Sequence, residues 1–103
     1  MSDLMEATTD HLRSTEQAVL WLRQLQKEGR HAQALEEAQV RLKDLPDNRD
    51  LLLVAAASLR HLTRIDDAFA VLGRLETLHP RFSQMHQERG LCHVARKDAP
   101  KAI

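Results

Sequence analysis

The feature that most constrains this chain is a recurrence. Gly29, Ala34 and Pro46 are followed, 34 residues later in each case, by Thr63, Ala68 and Pro80. A fixed spacing of this length between a turn residue, a small helix residue and a helix-ending proline marks a stacked array of short helical units. The template is the stretch Lys27 to Asn48, KEGRHAQALEEAQVRLKDLPDN. In 103 residues there is room for one small domain made of little more than two such units.

The apolar residues point the same way. Aromatics are few (Trp21, Phe69 and Phe82, with no Tyr), so the interior has to be built from Leu, Ala and Val. Leu and Ala are good helix formers, and β-branched residues are scarce, which predicts an all-α fold. The sequence predicts a lead-in over residues 1–9 and a repeat domain over residues 10–103. Thr9 or Asp10 would cap a helix running to about Lys27, with Leu12, Ala18, Trp21, Leu22 and Leu25 on one stripe. Gly29 supplies a permissive turn. A second helix, roughly His31 to Asp44, carries Ala34, Leu35, Ala38 and Leu42 at helical spacing, and so short a link makes the pair antiparallel. Pro46 stops it, and Asp47 or Asn48 caps a third helix, about Arg49 to Leu62.

That third helix is apolar on most sides, with Leu51, Leu52, Leu53, Val54, Ala55, Ala56 and Ala57 in succession. Such a helix needs neighbours before and behind. Asp66 is the expected cap of a fourth helix running to about Thr77 with Ala68, Phe69, Val71, Leu72 and Leu75, and Pro80 closes the unit. A weaker fifth helix, about Phe82 to Ala95, carries Met85, Leu91, Cys92 and Val94, with Gly90 in its middle. An interior glycine costs about 1 kcal/mol relative to Ala unless another backbone packs against it. Asp98 reads as the cap of a sixth helix with Pro100 in its first turn and only Lys101, Ala102 and Ile103 to follow, so the chain reads as a fragment of something longer.

These positions resemble the tetratricopeptide repeat family, a 34-residue helix–turn–helix unit, over about residues 13 to 103. Repeat one (about 15–48) matches through Trp21, Leu22, Leu25, Gly29, Ala34, Ala38 and Pro46. Repeat two (49–82) matches through Leu52, Ala55, Ala56, Leu59, Ala68, Leu72 and Pro80, with Thr63 in place of the turn glycine. An incomplete repeat three (83–103) fits with a two-residue slip that makes Gly90 the small residue and starts a second helix at Lys97, Asp98 and Ala102. The resemblance implies a right-handed superhelical α-solenoid of about five helices plus the start of a sixth. Residues Pro80 to Ile103 also look like the repeat segments of bacterial proteins that join such repeats to a C-terminal sulfotransferase domain. In that family the donor, 3'-phosphoadenylyl sulfate, is bound by the downstream domain, so this region would be inactive alone.

In such a solenoid the first helix of each repeat lines the concave side. The family register then gives groove positions Glu16, Val19, Arg23, Gln26 and Lys27 in repeat one, and Asp50, Leu53, Ala57, Arg60 and His61 in repeat two. Gln84, Gln87, Leu91 and Val94 follow in repeat three. Some family members clamp a peptide's terminal carboxylate with Lys and Asn. Val19 and Arg23 stand at those positions here, which argues against that clamp. The competing reading of the arginines is an ordinary solvated helix face.

Chemistry finds no strong foothold. With 15 Lys+Arg against 15 Asp+Glu, no net field draws the chain to nucleic acid or an anionic membrane. The six histidines are scattered, and His86 and His93 are too far apart on their helix for a two-ligand metal site. Cys92 and His93 are consecutive, so they do not face each other as a nucleophile pair would. Glu36-Glu37 and Asp66-Asp67 read as helix-dipole partners rather than an acid–base pair. One cysteine allows no internal disulfide, and neither a signal peptide nor a membrane-length apolar run is present, so the cytoplasm is the default. The sequence therefore predicts a non-catalytic module without cofactor that binds a protein or peptide in its groove. The alternatives are the repeat region of a sulfotransferase and a small secretion-chaperone-like repeat protein. An apolar flank at Leu91 and Val94 makes self-association a further expectation.

Overall fold

The computed structural model describes residues 3–98, and the side chains of residues 14–97. Among the described residues five helices follow one another: α1 (Asp3–Lys27), α2 (His31–Leu42), α3 (Arg49–His61), α4 (Ile65–Leu78) and α5 (Ser83–Asp98). Among the described residues there is no strand. No helix there is long and apolar enough to cross a membrane.

The spacing seen in the sequence is written into backbone hydrogen bonds. At the end of α1 the N–H of Gly29 donates to the Gln26 carbonyl at 3.0 Å and that of Arg30 to the Leu25 carbonyl at 2.8 Å. At the end of α3, Thr63 donates to Arg60 at 3.0 Å and Arg64 to Leu59 at 2.9 Å. Both are Schellman caps, in which a left-handed residue turns two otherwise unpaired carbonyls onto N–H donors. Gly29 has φ +78° and Thr63 φ +63°, the latter the positive-φ non-glycine of the described chain. The turns after α2 and α4 repeat as well. Asn48 N–H donates to Leu45 O at 3.2 Å, and Phe82 N–H to His79 O at 3.1 Å, each closing a turn around Pro46 or Pro80.

Packing follows chain order. α1 meets only α2 and α3, and α5 meets only α3 and α4, whereas α3 meets all four others among the described residues. This is the position its apolar sequence requires: Leu51, Leu52, Val54, Ala55, Ala56, Ser58 and Leu59 are all buried. Each large side chain of that set contributes about 2 kcal/mol of burial. α2 buries Ala34, Leu35 and Ala38, and α4 buries Ala68, Leu72 and Leu75, so one narrow stripe of each faces the core. α1 and α3 run parallel, because Arg23 lies near Asp50 and Gln26 near Val54. α4 and α5 run antiparallel, with Glu76 opposite Arg89 and Asp66 opposite Arg96.

Several local expectations are corrected. α1 starts at Asp3, so the stretch read as a lead-in is helical from residue 3, and Thr9 and Asp10 lie inside the helix. The side chain of Leu12 lies outside the described set. α2 ends at Leu42, four residues before Pro46, which instead shapes the turn that follows. Of the two candidate caps for α3, Asn48 is the one: its Oδ1 accepts from Leu51 N–H at 3.0 Å. α4 starts at Ile65 with Arg64 at its N-cap and no side-chain cap, because the Schellman turn already sets the entry. Asp66 and Asp67 therefore sit in its first turn, where their charge opposes the helix dipole's positive end. Glu36 and Glu37 lie mid-helix, and Glu37 pairs with Arg41 one turn on at 3.0 Å.

Trp21, expected in the packing, is 40% exposed, with the Arg41 guanidinium 5.6 Å from its ring centroid. The inner stripe of α1 passes instead through Ala18, Val19, Leu22 and Leu25. The other packing positions are buried: Ala34, Ala38, Leu52, Ala55, Ala56, Leu59, Ala68 and Leu72 are 4% exposed or less. Gly90 has no backbone against it, since a Cβ there would meet nothing within 4 Å. α5 begins at Ser83 and continues through Lys97 to Asp98, so those two residues extend a helix rather than start one. Pro100, Lys101, Ala102 and Ile103 lie outside the described residues. Leu91 and Val94 are 45% and 56% exposed, which leaves the apolar flank anticipated on α5 open to solvent.

Candidate interaction groove

Three odd-numbered helices adjoin in the order α1, α3, α5, and the side chains facing outward along them form a cleft of about 450 Å³. From α1 come Arg23, Gln26 and Lys27; from α3 come Leu53, Ala57, Arg60 and His61; from α5 come Gln84, Gln87 and Leu91. These are residues singled out from the repeat register. Val19 lies in the adjoining cleft with Glu16 and Asp50, and Val94 stands outside both. The register missed His31, Val54 and Glu88, which also line the first cleft.

The floor is fixed by links between neighbouring helices, α1 to α3 and α3 to α5. Gln26 of α1 donates to the Val54 carbonyl at 3.2 Å and to Ser58 Oγ at 3.0 Å. Moving each residue 34 positions on gives Arg60, Glu88 and Cys92, and the same link recurs there in ionic form. Arg60 donates from Nε to Glu88 Oε2, and from Nη2 to Oε1 at 3.3 Å. The Cys92 thiol lies 3.8 Å from the same carboxylate as a donor. The pair is largely withdrawn from water, with side chains 18% and 8% exposed. Glu88 was recognisable in principle, because it stands 34 residues after the core residue Val54 while Arg60 stands 34 after Gln26. A charge in a core column calls for a charge in the facing column.

At the cleft's edge, His31, the first residue of α2, stacks on His61, the last of α3, with ring centroids 4.0 Å apart and planes 6° from parallel. Arg60 Nη2 donates to His61 Nε2 at 3.3 Å, which requires that nitrogen to be unprotonated. Burial first, then the Arg60 charge and then His31, hold His61 below its ordinary pKa, with Glu88 acting the other way. His31 Nδ1 is buried without a hydrogen-bond partner. Burial, reinforced by Glu88, pushes the Cys92 thiol up to about 11. A fully enclosed neutral thiol of this kind is a poor nucleophile.

Among the described residues no group of three His, Cys, Asp or Glu side chains is placed to hold a metal ion. The arrangement offers an apolar strip (Leu53, Ala57, Leu91), side-chain amides for a backbone (Gln84, Gln87) and cations (Arg23, Lys27). No family model, curated protein or solved structure matches this chain.

Proposed function

We propose that this chain is a tetratricopeptide-like interaction module that holds an extended peptide, or an extended edge of a partner protein, along α1, α3 and α5, and that it performs no chemistry of its own. The observation that carries this reading is the convergence of repeat-equivalent side chains on one cleft of about 450 Å³. The 34-residue recurrence of caps and turns supports the repeat assignment, since equivalent backbone geometry brings equivalent positions to one side. A peptide suits the lining because alternate side chains can enter the apolar strip while Gln84 and Gln87 meet its backbone.

The test is selection of binders from a random peptide display library, followed by titration of the enriched peptides against variants. Leu91→Glu and Lys27→Glu change exposed groove positions and should weaken binding by about ten-fold or more. Val40→Glu, on an exposed part of α2 outside both clefts, should leave affinity unchanged. Equal affinity for all three variants would remove the groove from consideration.

A further inference from the structure

A second and larger cleft, about 830 Å³, opens beside the groove where the middle of α1, the first turn of α3, the turn at Arg81 and Phe82 and the start of α5 come together. Arg23 and Gln84 line both clefts, so the two adjoin. Arg49 and Arg81, which the repeat register did not select, enter the lining here.

The ionic state of these arginines differs from that of most others in the chain. Arg41, Arg60, Arg64, Arg74, Arg89 and Arg96 each have a carboxylate partner within the molecule. Arg49 has none among the described residues; its guanidinium lies 4.8 Å from the Phe82 ring centroid. That stacking presents a planar cation whose N–H edge remains available. Arg81, exposed on the turn, has no ion-pair partner among the described residues, and neither has Lys27 in the adjoining groove. Arg23 meets Asp50 at 3.8 Å, both partly exposed, a weak contact that a better acceptor can replace. The opposing charges in the lining are Asp50 and Glu16 in this cleft and Glu88 in the groove, the last already held by Arg60. The two clefts together are therefore lined by five cations and three carboxylates, in a chain whose formal net charge is zero.

We infer that a peptide occupying the groove continues into this second cleft and there carries acidic side chains, which Arg49 and Arg81 receive beside the apolar contacts of Val19, Leu45 and Phe82. This rests on the groove reading and adds to it a charge sign and a direction. Bidentate pairing favours carboxylate groups on Arg49, whose face is occupied by Phe82 and whose edge is free. The apolar residues select a peptide with aliphatic or aromatic residues between its acidic ones.

The experiment sequences the pool enriched from a random dodecapeptide display library on the wild-type chain and, in parallel, on Arg81→Gln and Arg49→Gln/Arg81→Gln. Arg81 is exposed, so its replacement leaves the core alone, and circular dichroism verifies the fold of both variants. The expected result is enrichment of Asp and Glu on wild type. Affinity for those peptides should fall by about ten-fold in the double variant, with the acidic bias lost. A neutral or basic enriched pool overturns the acidic assignment while leaving the groove reading intact. An acidic pool equally favoured by the double variant overturns the role of this cleft. No enrichment at all overturns both readings. Tighter binding of a fluorescent single-stranded RNA, competed away by the same peptides, overturns the choice of a peptide partner.

Discussion

Gly29 and Thr63 hold the same left-handed backbone conformation at equivalent places, φ +78° and +63°, each followed by an arginine whose N–H reaches back to a leucine carbonyl. The glycine adopts it without steric cost, and the β-branched threonine does not. Thr63 Oγ1 donates to the Leu62 carbonyl at 2.6 Å, which offsets part of the strain. Thr63→Gly should therefore raise stability by about 1 kcal/mol, and Gly29→Thr should lower it by about 1–2 kcal/mol. Urea titration of both variants is the measurement. A destabilising Thr63→Gly would mean that the hydroxyl contact outweighs the backbone.

Gly90 offers the opposite case. It sits inside α5 in ordinary helical geometry, and a Cβ would meet no atom within 4 Å. Gly90→Ala should stabilise by about 1 kcal/mol through helix propensity alone. A melting temperature unchanged or lowered by this substitution would show that the helix is less regular there, or that a partner backbone occupies the space.

The Arg60–Glu88 pair joins α3 to α5 with little exposure on either side chain. Arg60→Met would leave the Glu88 carboxylate buried without its cation, at a cost of about 3 kcal/mol or more. Arg60→Met combined with Glu88→Met should cost less than Arg60→Met alone, because the uncompensated charge is removed. A double-mutant cycle by urea unfolding measures this coupling. Additive single effects would mean that the two groups do not interact as they are placed.

Stability should also fall on mild acidification, in part through His61. Its folded pKa is depressed below 6.5, so the unfolded chain binds this proton more readily. The stability present above 6.5 is lost as pH falls from there through the lower folded value. The groups facing His61 are His31, Arg60 and Glu88, and Glu88 moderates the effect. Comparing urea midpoints of the wild type and His61→Gln at neutral and mildly acidic pH isolates this residue. The wild type should lose more than the variant, and parallel losses would assign the acid sensitivity to other groups.

Legibility in the sequence varied by residue for physical reasons. Helix α3 could be read because its neighbours demanded apolar residues on nearly every side, and its start and end follow from Asn48 and from the Thr63 turn. At the entry to α4, Asp66 has the chemistry of an N-cap, but the preceding Schellman turn makes a side-chain cap unnecessary and the helix starts at Ile65. Trp21 belongs to the apolar stripe and to the repeat pattern in sequence, yet it lies 40% exposed because Ala18, Val19, Leu22 and Leu25 complete the inner face of α1 without it. The register of the resembling repeat family pointed to most residues that line the first cleft from α1, α3 and α5. That register does not include Arg49, Arg81 and Phe82, which reach the second cleft from a helix start and a turn.

By itself the sequence determined the helical class, the 34-residue spacing of turns and the central place of α3. These follow from local propensity, from backbone geometry at Gly29 and Pro46, and from how many sides of a helix must leave water. Only the tertiary structure decided that Arg60 closes on Glu88, that His31 stacks on His61, and that Arg49 and Arg81 stand without carboxylate partners among the described residues beside a cleft. The two contacts join residues 28 and 30 positions apart in the chain. The approach of one helix to the next sets them, and no local pattern encodes that distance.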